Sequence, residues 1–205
     1  GPLDHFAISA ISSPQTVGSP ITGITLTAQD ASNATVNFTG TVTFGGTGGF
    51  TGTSGTFTAG VLSGVSVTPT VAGSGLTFTV TDLGSGKTGT ATFNIQTQYQ
   101  AWAGGALFDA DTNNDGLKNG LAFLLGATSP TSAVTQPTVT ESGGALVMTF
   151  NCLPVAARGS ATLKVEHSTS LAAWTATTAV VPDTTNAISD NNVTFVVGAG
   201  PAGPP

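Results

Sequence analysis

The chain reads as all-β, organised as two β-sandwich domains of the immunoglobulin-like kind, the second opening with an Asp-rich loop and a short helix. Three observations predict this. Short runs alternating apolar residues with threonine recur along the chain, the period of half-buried strands. Clusters of glycine, proline and asparagine separate those runs at the spacing of a sandwich. Charged residues are only 7% of the 205, against about 25% in a typical soluble domain. So low a charge suits either membrane spans or a rigid β-protein, and no apolar run reaches the roughly 18–20 residues that a spanning helix needs. With 39% hydrophobic residues and a net charge of −6, the chain also lacks the composition of a disordered one.

The first domain is expected over residues 3–96. Phe6-Ala-Ile8-Ser-Ala-Ile11 opens it, and Ile24-Thr-Leu26-Thr-Ala28 repeats the alternation. Gly40-Thr-Val42-Thr-Phe44, Val61-Leu-Ser-Gly-Val65-Ser-Val67, Leu76-Thr-Phe78-Thr-Val80 and Gly89-Thr-Ala-Thr-Phe93-Asn-Ile95 follow. β-Branched threonine suits the outer face of a pleated sheet. Turns are marked by Ser13-Pro14, Gly18-Ser-Pro20, the stretch from Asp30 to Asn33, Gly45-Gly46, Ala72-Gly-Ser-Gly75 and Gly84-Ser-Gly86. Leu3-Asp-His-Phe-Ala-Ile-Ser, Ser13-Pro-Gln-Thr-Val-Gly-Ser-Pro, Leu26-Thr-Ala-Gln-Asp and Phe38-Thr-Gly-Thr-Val resemble the bacterial Ig-like repeats of large secreted surface proteins. The resemblance spans nearly all of residues 3–97. It rests on turn and core residues, so it implies a fold and says little about a ligand.

Gln96-Thr-Gln-Tyr-Gln100 is polar and breaks the alternation, so residues 97–101 read as a linker and 102–205 as the second domain. Residues 99–107 suit a short helix or a loop. Leu117, Leu121, Leu124 and Leu125 stand at helical spacing and Gly126 stops them, predicting a helix over about 117–125. Strands then return at Ala145-Leu-Val-Met-Thr-Phe150, Ala161-Thr-Leu-Lys-Val-Glu-His167, residues 174–181 and Asn192-Val-Thr-Phe-Val-Val197. The Gly/Pro tail 198–205 is unsuited to a strand interior.

Ten residues are acidic, and Asp109, Asp111 and Asp115 crowd into the loop 108–119. Oxygen-bearing side chains at alternate positions, closed by Asp115-Gly116, are what a chain needs to wrap a calcium ion. The carboxylates supply charge and the glycine allows the bend that turns the next carbonyl inward. With Asp111 first, Asn113, Asp115, the Leu117 carbonyl and Asn119 fall at ligand positions, and Asp109 lies two residues upstream. The loop resembles those of EF-hands and dockerins, and its upstream acid resembles thrombospondin-type repeats. It departs from them at the twelfth position, where Ala122 replaces the bidentate glutamate. The resulting expectation is weak calcium binding, on the order of 10⁻⁴–10⁻³ M. The competing reading is an Asx-rich turn capping a helix without any ion. Trp102-Ala-Gly-Gly-Ala, Phe108-Asp-Ala-Asp-Thr-Asn-Asn-Asp-Gly-Leu-Lys-Asn-Gly-Leu-Ala-Phe-Leu-Leu-Gly126 and Leu163-Lys-Val-Glu-His-Ser168 with Trp174 resemble C-terminal modules of giant secreted proteins of Verrucomicrobia and Planctomycetes.

No other constellation suggests catalysis, and the chain is read as a non-enzyme. Glu166, His167 and Ser168 are strand neighbours, so their side chains alternate between faces and form a poor triad. His167 reads as a surface strand residue. His5 stands ahead of the first strand. Glu141 and Glu166 are the two glutamates and show no facing arrangement of the glycosidase kind. Lys164 and Glu166 read as a surface ion pair, with an isopeptide crosslink as the remoter reading. Cys152 reads as a buried inert thiol, and Tyr99, Trp102 and Trp174 as core aromatics. Asn33, Asn37 and Asn192 begin glycosylation triplets, of little weight in a bacterial protein.

Four basic residues and a sequence pI near 4.3 argue against nucleic acid or an anionic membrane, both of which need clustered Lys/Arg. A single cysteine allows no internal disulfide and fits either a cytosolic protein or a bacterial secreted one that avoids cysteine; richness in threonine and glycine with few lysines favours the secreted one. The opening Gly-Pro without Met reads as a cleaved tag or processed terminus. The expected role is a non-catalytic structural or adhesive unit of an extracellular cell-surface or filament protein, stiffened by calcium. The alternative is an accessory polysaccharide- or polymer-binding module of a larger secreted enzyme. The resembled modules run on past the point where this chain stops at Pro205. That implies an open sheet edge, and open edges recruit strands. One expectation is therefore partners that are copies of itself or neighbouring modules, with residues 3–11 as the donated strand; the other is a truncated chain whose edge is simply solvated.

Overall fold

Threonine alternation becomes strand where each second residue has a core to enter. In the computed structural model, which describes residues 1–168, 172–176, 180–183, 188–190 and 193–198, strand outweighs helix at 34% to 8%. The fold is β-rich. Two compact units divide at Thr97/Gln98.

The first unit holds β1 (His5–Ile8), β2 (Gln15–Thr16), β3 (Ile21–Gln29), β4 (Thr43–Gly45), β5 (Val61–Val67), β6 (Gly73–Thr81) and β7 (Thr88–Gln96). They form one sheet in the order β1-β3-β5 and another in the order β2-β7-β6-β4. All pairings are antiparallel except β2 with β7, which is parallel. Within β6, Phe78 and Val80 are buried while Thr77, Thr79 and Thr81 alternate with them. Within β7, Gly89, Phe93 and Ile95 are buried while Thr88, Thr90, Thr92 and Asn94 are exposed. Leu26 and Ala28 of β3 and Val65 and Val67 of β5 join the same core. Five of its fourteen buried residues are phenylalanine. Phe38 meets Phe6 and Phe57 edge-on at 5.2 and 5.1 Å, and Phe50 meets Phe78 at 5.0 Å.

Phe50, Phe57 and Val42 come from an irregular stretch, not from strands. Phe44 N–H donates to Gly52 O, Ser54 N–H to Val42 O and Phe57 N–H to Gly40 O, at 2.8, 2.8 and 3.1 Å. The strand expected at 40–44 is thereby shortened to Thr43–Gly45. The assignment of residues 3–11 as a donated strand also needs correction. His5–Ile8 pairs with residues 29 to 26 of its own unit, and Phe6 is 2% exposed in its core.

In the second unit, α1 (Gln98–Ala103) stands where the polar run suggested a linker, and α2 (Asn119–Leu124) follows the Asp-rich loop. Next come β8 (Thr138–Ser142), β9 (Ala145–Thr149), a 3-10 turn at Val155–Ala157, β10 (Glu166–His167), β11 (Thr175–Ala176), β12 (Ile188–Asp190) and β13 (Val193–Phe195). Among the described residues these pair as three two-stranded ribbons, β8-β9, β10-β11 and β12-β13. The strand expected over 161–167 is confined to Glu166–His167, although Leu163 is buried and its carbonyl accepts Val181 N–H at 3.1 Å. Asn192, residues 177–179 and the tail 199–205 lie outside the described residues. Phe123, Leu124, Leu163, Val181 and Phe195 form the core, with Tyr99 and Trp102 packed against it.

One buried cation ties this unit together. Arg158 is 2% exposed. Its Nε donates to Leu153 O at 2.8 Å and its Nη1 to Val181 O at 2.7 Å. Its Nη2 lies 3.4 Å from Cys152 Sγ and 3.8 Å from Asp183 Oδ1. Asp183 in turn accepts Val155 N–H on both oxygens, at 2.7 and 2.9 Å.

Candidate functional site

The Asp-rich loop folds on its own side chains. Asp111 Oδ2 accepts Gly116 N–H at 2.9 Å, drawing the first carboxylate across the bend. Gly116 has φ +88, a conformation that L side chains rarely adopt, which is why glycine stands there. Asn113 Oδ1 accepts Asp115 N–H at 3.3 Å, and Asp115 Oδ1 accepts Leu117 N–H at 2.9 Å. Asn113 Nδ2 donates to Asp115 Oδ2 and to Ser132 O, and Gln136 Nε2 donates to Asp115 O. Ser132 and Gln136 therefore clasp the loop from outside.

Asn119 is 1% exposed and belongs to the scaffold. Its Oδ1 accepts Thr112 N–H at 3.2 Å, and its Nδ2 donates to Leu107 O at 2.8 Å and Thr112 Oγ1 at 2.9 Å. It fastens the start of the loop, at Leu107 and Thr112, to the first turn of α2. Asp109 stands apart, its side chain 84% exposed and 3.7 Å from Lys118 Nζ. Ala122 is buried in α2. Asp111, Asn113, Asp115 and Leu117 thus share one compact bend, while Asp109 faces solvent and Asn119 holds the frame.

The residues fit a cation in one respect and fall short in another. Asp111 Oδ1 is buried with no hydrogen-bond partner, and an unpaired buried carboxylate oxygen is costly unless something positive meets it. Against this, among the described residues no group of three or more His, Cys, Asp or Glu side chains stands where it could hold a metal ion. The loop offers two carboxylates, one amide and backbone carbonyls.

The remaining candidates are dispersed. His5 opens β1 and does not stand ahead of the first strand; its Nδ1 is 3.2 Å from Asp4 Oδ2 and its Nε2 3.1 Å from Gln29 Oε1. Lys87, with Nζ 3.3 Å from Asp4 Oδ1, holds the Asp4 carboxyl below its usual range, with His5 adding to the effect. His167 is half-buried, correcting its reading as a surface residue, and its Nε2 is buried without a partner. Glu141 is exposed in β8, and Lys164 and Glu166 are exposed as well. Cys152 is half-buried.

Tyr99 and Trp102 pack with Phe123 at 5.6 and 5.4 Å, and Trp102 Nε1 donates to Ala127 O at 2.6 Å. Burial raises the Tyr99 hydroxyl above its ordinary range, with Asp109 a smaller cause. Trp174 departs from the core reading at 57% exposed. The sequence reading missed Arg158, although a lone arginine in an apolar stretch of a chain with four basic residues is a visible signal. No protein-family model, curated protein or solved structure matches this chain.

Proposed function

We propose that the chain is a non-catalytic structural or adhesive unit of a secreted bacterial surface or filament protein. Its first unit is read as an immunoglobulin-like sandwich, and its second as a β-sandwich-type module that carries a weak calcium loop. The observation that carries the reading is the first unit's construction. Buried side chains from two sheets share one phenylalanine-rich core, while threonine and not charge occupies the alternate positions of β6 and β7. Such a unit contributes stiffness. Its partners are neighbouring modules or further copies, and β5, at the end of its sheet, is where strand addition would occur.

Calcium, when bound, neutralises the loop carboxylates and fixes the bend. Asp111, Asn113, Asp115 and the Leu117 carbonyl would hold it, with Asn119 keeping the frame and Asp109 adding charge nearby. The support is the unpaired Asp111 Oδ1. With a Kd on the order of 10⁻³ M, ten-fold excess calcium stabilises the second unit by RT ln 11, about 1.4 kcal/mol. That corresponds to a rise of roughly 5–10 °C in melting temperature for a unit of this size. Calorimetry and melting curves in millimolar calcium measure it. No heat, no rise and no effect of Asp115→Ala together would reduce the loop to a turn. Turnover of a polysaccharide or peptide panel that disappears in Glu166→Gln or His167→Ala would overturn the non-catalytic reading.

Exposed Trp174 favours a second reading, an accessory polysaccharide-binding module. Saturable binding of a soluble polysaccharide that is lost in Trp174→Ala would establish it.

A further inference from the structure

The amino-terminal segment of the first unit meets β7 near both of its ends, residue numbers rising together on both, while His5–Ile8 is paired with β3 in the other sheet. Asp4 Oδ1 meets Lys87 Nζ at 3.3 Å. Phe6 O lies so close to Gly89 that an added Cβ would overlap it. Ser13 Oγ accepts Asn94 N–H at 3.0 Å. Gln15 and Thr16 then pair in parallel with Ile95 and Gln96, Val17 N–H donates to Gln96 O at 3.0 Å, and Gln96 Nε2 reaches Thr16 Oγ1 at 3.3 Å. On its other side β7 is paired with β6 from Thr88 to Ile95.

This order fixes how the unit meets tension. Chain arriving before Asp4 does so at the Lys87 end of β7. Chain leaving after Gln96 does so at the opposite end, about 30 Å away for a nine-residue strand. A pull between those two points runs along the strands. It loads the 4–87, 6–89, 13–94, 15–95, 16–96 and 17–96 contacts at the same time, so they must give way together. A pull applied at one end of the same pair would open them one after another. Forced unfolding is governed by the unfolding barrier, and breaking the set together raises that barrier where sequential opening does not.

We infer that the first unit is a force-bearing module in which residues 4–17 and β7 form a shear clamp along the chain axis. The inference rests on the structural role proposed above and names the load that role would carry. Its chemistry is backbone pairing plus two side-chain hydroxyl bonds and one exposed ion pair, so it needs no ligand.

Single-molecule pulling on the full chain tests it, with Cys152→Ser and one amino-terminal tether in every case. The second tether is attached either through Ala101→Cys, beyond β7, or through Leu83→Cys, in the turn before Lys87. Ala101 and Leu83 are both exposed. The expected result is a several-fold higher unfolding force for the 101 tether than for the 83 tether, in a molecule of the same equilibrium stability. Equal or reversed forces overturn the clamp. Val17→Pro, which removes the N–H donated to Gln96, should lower the force at the 101 tether and leave that at the 83 tether in place. An unchanged 101 force in that variant also overturns the clamp, and the direction comparison decides alone if the variant does not fold. Failure here leaves the structural reading standing, because that reading falls to catalytic turnover and not to a force ratio.

Discussion

Replacing Arg158 by methionine should weaken the second unit by about 2–4 kcal/mol. Methionine keeps an unbranched apolar stem but removes the guanidinium. Leu153 O and Val181 O then lose donors at 2.8 and 2.7 Å, in surroundings where Arg158 is 2% exposed. A buried acceptor stripped of its donor costs about 1–3 kcal/mol, so two cost about 2–6. Part is returned, because a buried guanidinium carries a desolvation penalty of several kcal/mol that the variant no longer bears. Asp183 adds little to the loss, since it is 39% exposed and keeps Val155 N–H. Both tryptophans, Trp102 and Trp174, belong to the second unit. Tryptophan fluorescence in urea therefore reports this unit and not the first. With a slope of about 1–2 kcal/mol per M for a unit of this size, the midpoint should fall by roughly 1–4 M. Arg158→Lys should recover only part, having charge without the fork that reaches two carbonyls. A methionine variant that unfolds within about 0.5 kcal/mol of the parent would refute the argument, since the two carbonyls would then be satisfied without the arginine.

Gly89→Ala places a Cβ into the Phe6 carbonyl, and the forced separation should cost about 1–3 kcal/mol, read as a lowered melting temperature of the first unit. Phe57→Ala, at 1% exposed in the same core, should cost about 3–5 kcal/mol by the same measurement. Acid should weaken the first unit. The Ser85 hydroxyl and two backbone N–H groups hold the Asp82 carboxyl below its ordinary range, and the Ala34 N–H leads the groups that do so for Asp30. Carboxyls with depressed folded values stabilise fully above the unfolded pKa of about 3.9 and lose that contribution as pH falls through the folded values. Melting temperature should therefore drop below about pH 4, less steeply in Asp82→Asn.

What the sequence made legible was set by how local the determinants are. The strands β3, β5, β6 and β7 were readable because each carries its own alternation over seven to nine residues. Strand β8 was not read, although its signal was present. Gly143-Gly144 between two alternating runs is a two-residue hairpin connection, and both glycines adopt positive φ, +60 and +81. Phe50 and Phe57 escaped because they reach the core from irregular backbone, where neither period applies. The loop's alternate oxygens located its bend correctly, yet spacing could not separate a ligand from a brace. Asn119 and Asp115 look alike in the motif. Only three-dimensional neighbours show that the amide of one fastens Leu107 and Thr112, while the carboxylate of the other sits within the bend.

The parallel course of residues 4–17 beside β7 lies beyond sequence reading for a related reason. Neither Gln15-Thr16 nor Ile95-Gln96 carries any mark of the other, and about eighty residues separate them. Pairing β2 with the last strand of the unit closes a long loop, and such contacts form only after the rest of the fold has brought the two segments together. The same separation gives the pairing its mechanical meaning. Contacts between neighbouring strands can open one hairpin at a time, whereas contacts between the first and last strands stand directly between the two points at which the chain enters and leaves. Resistance to tension is thus a property of topology and register, invisible in composition. It depends on the in-step sequence of contacts from Asp4–Lys87 to Val17–Gln96.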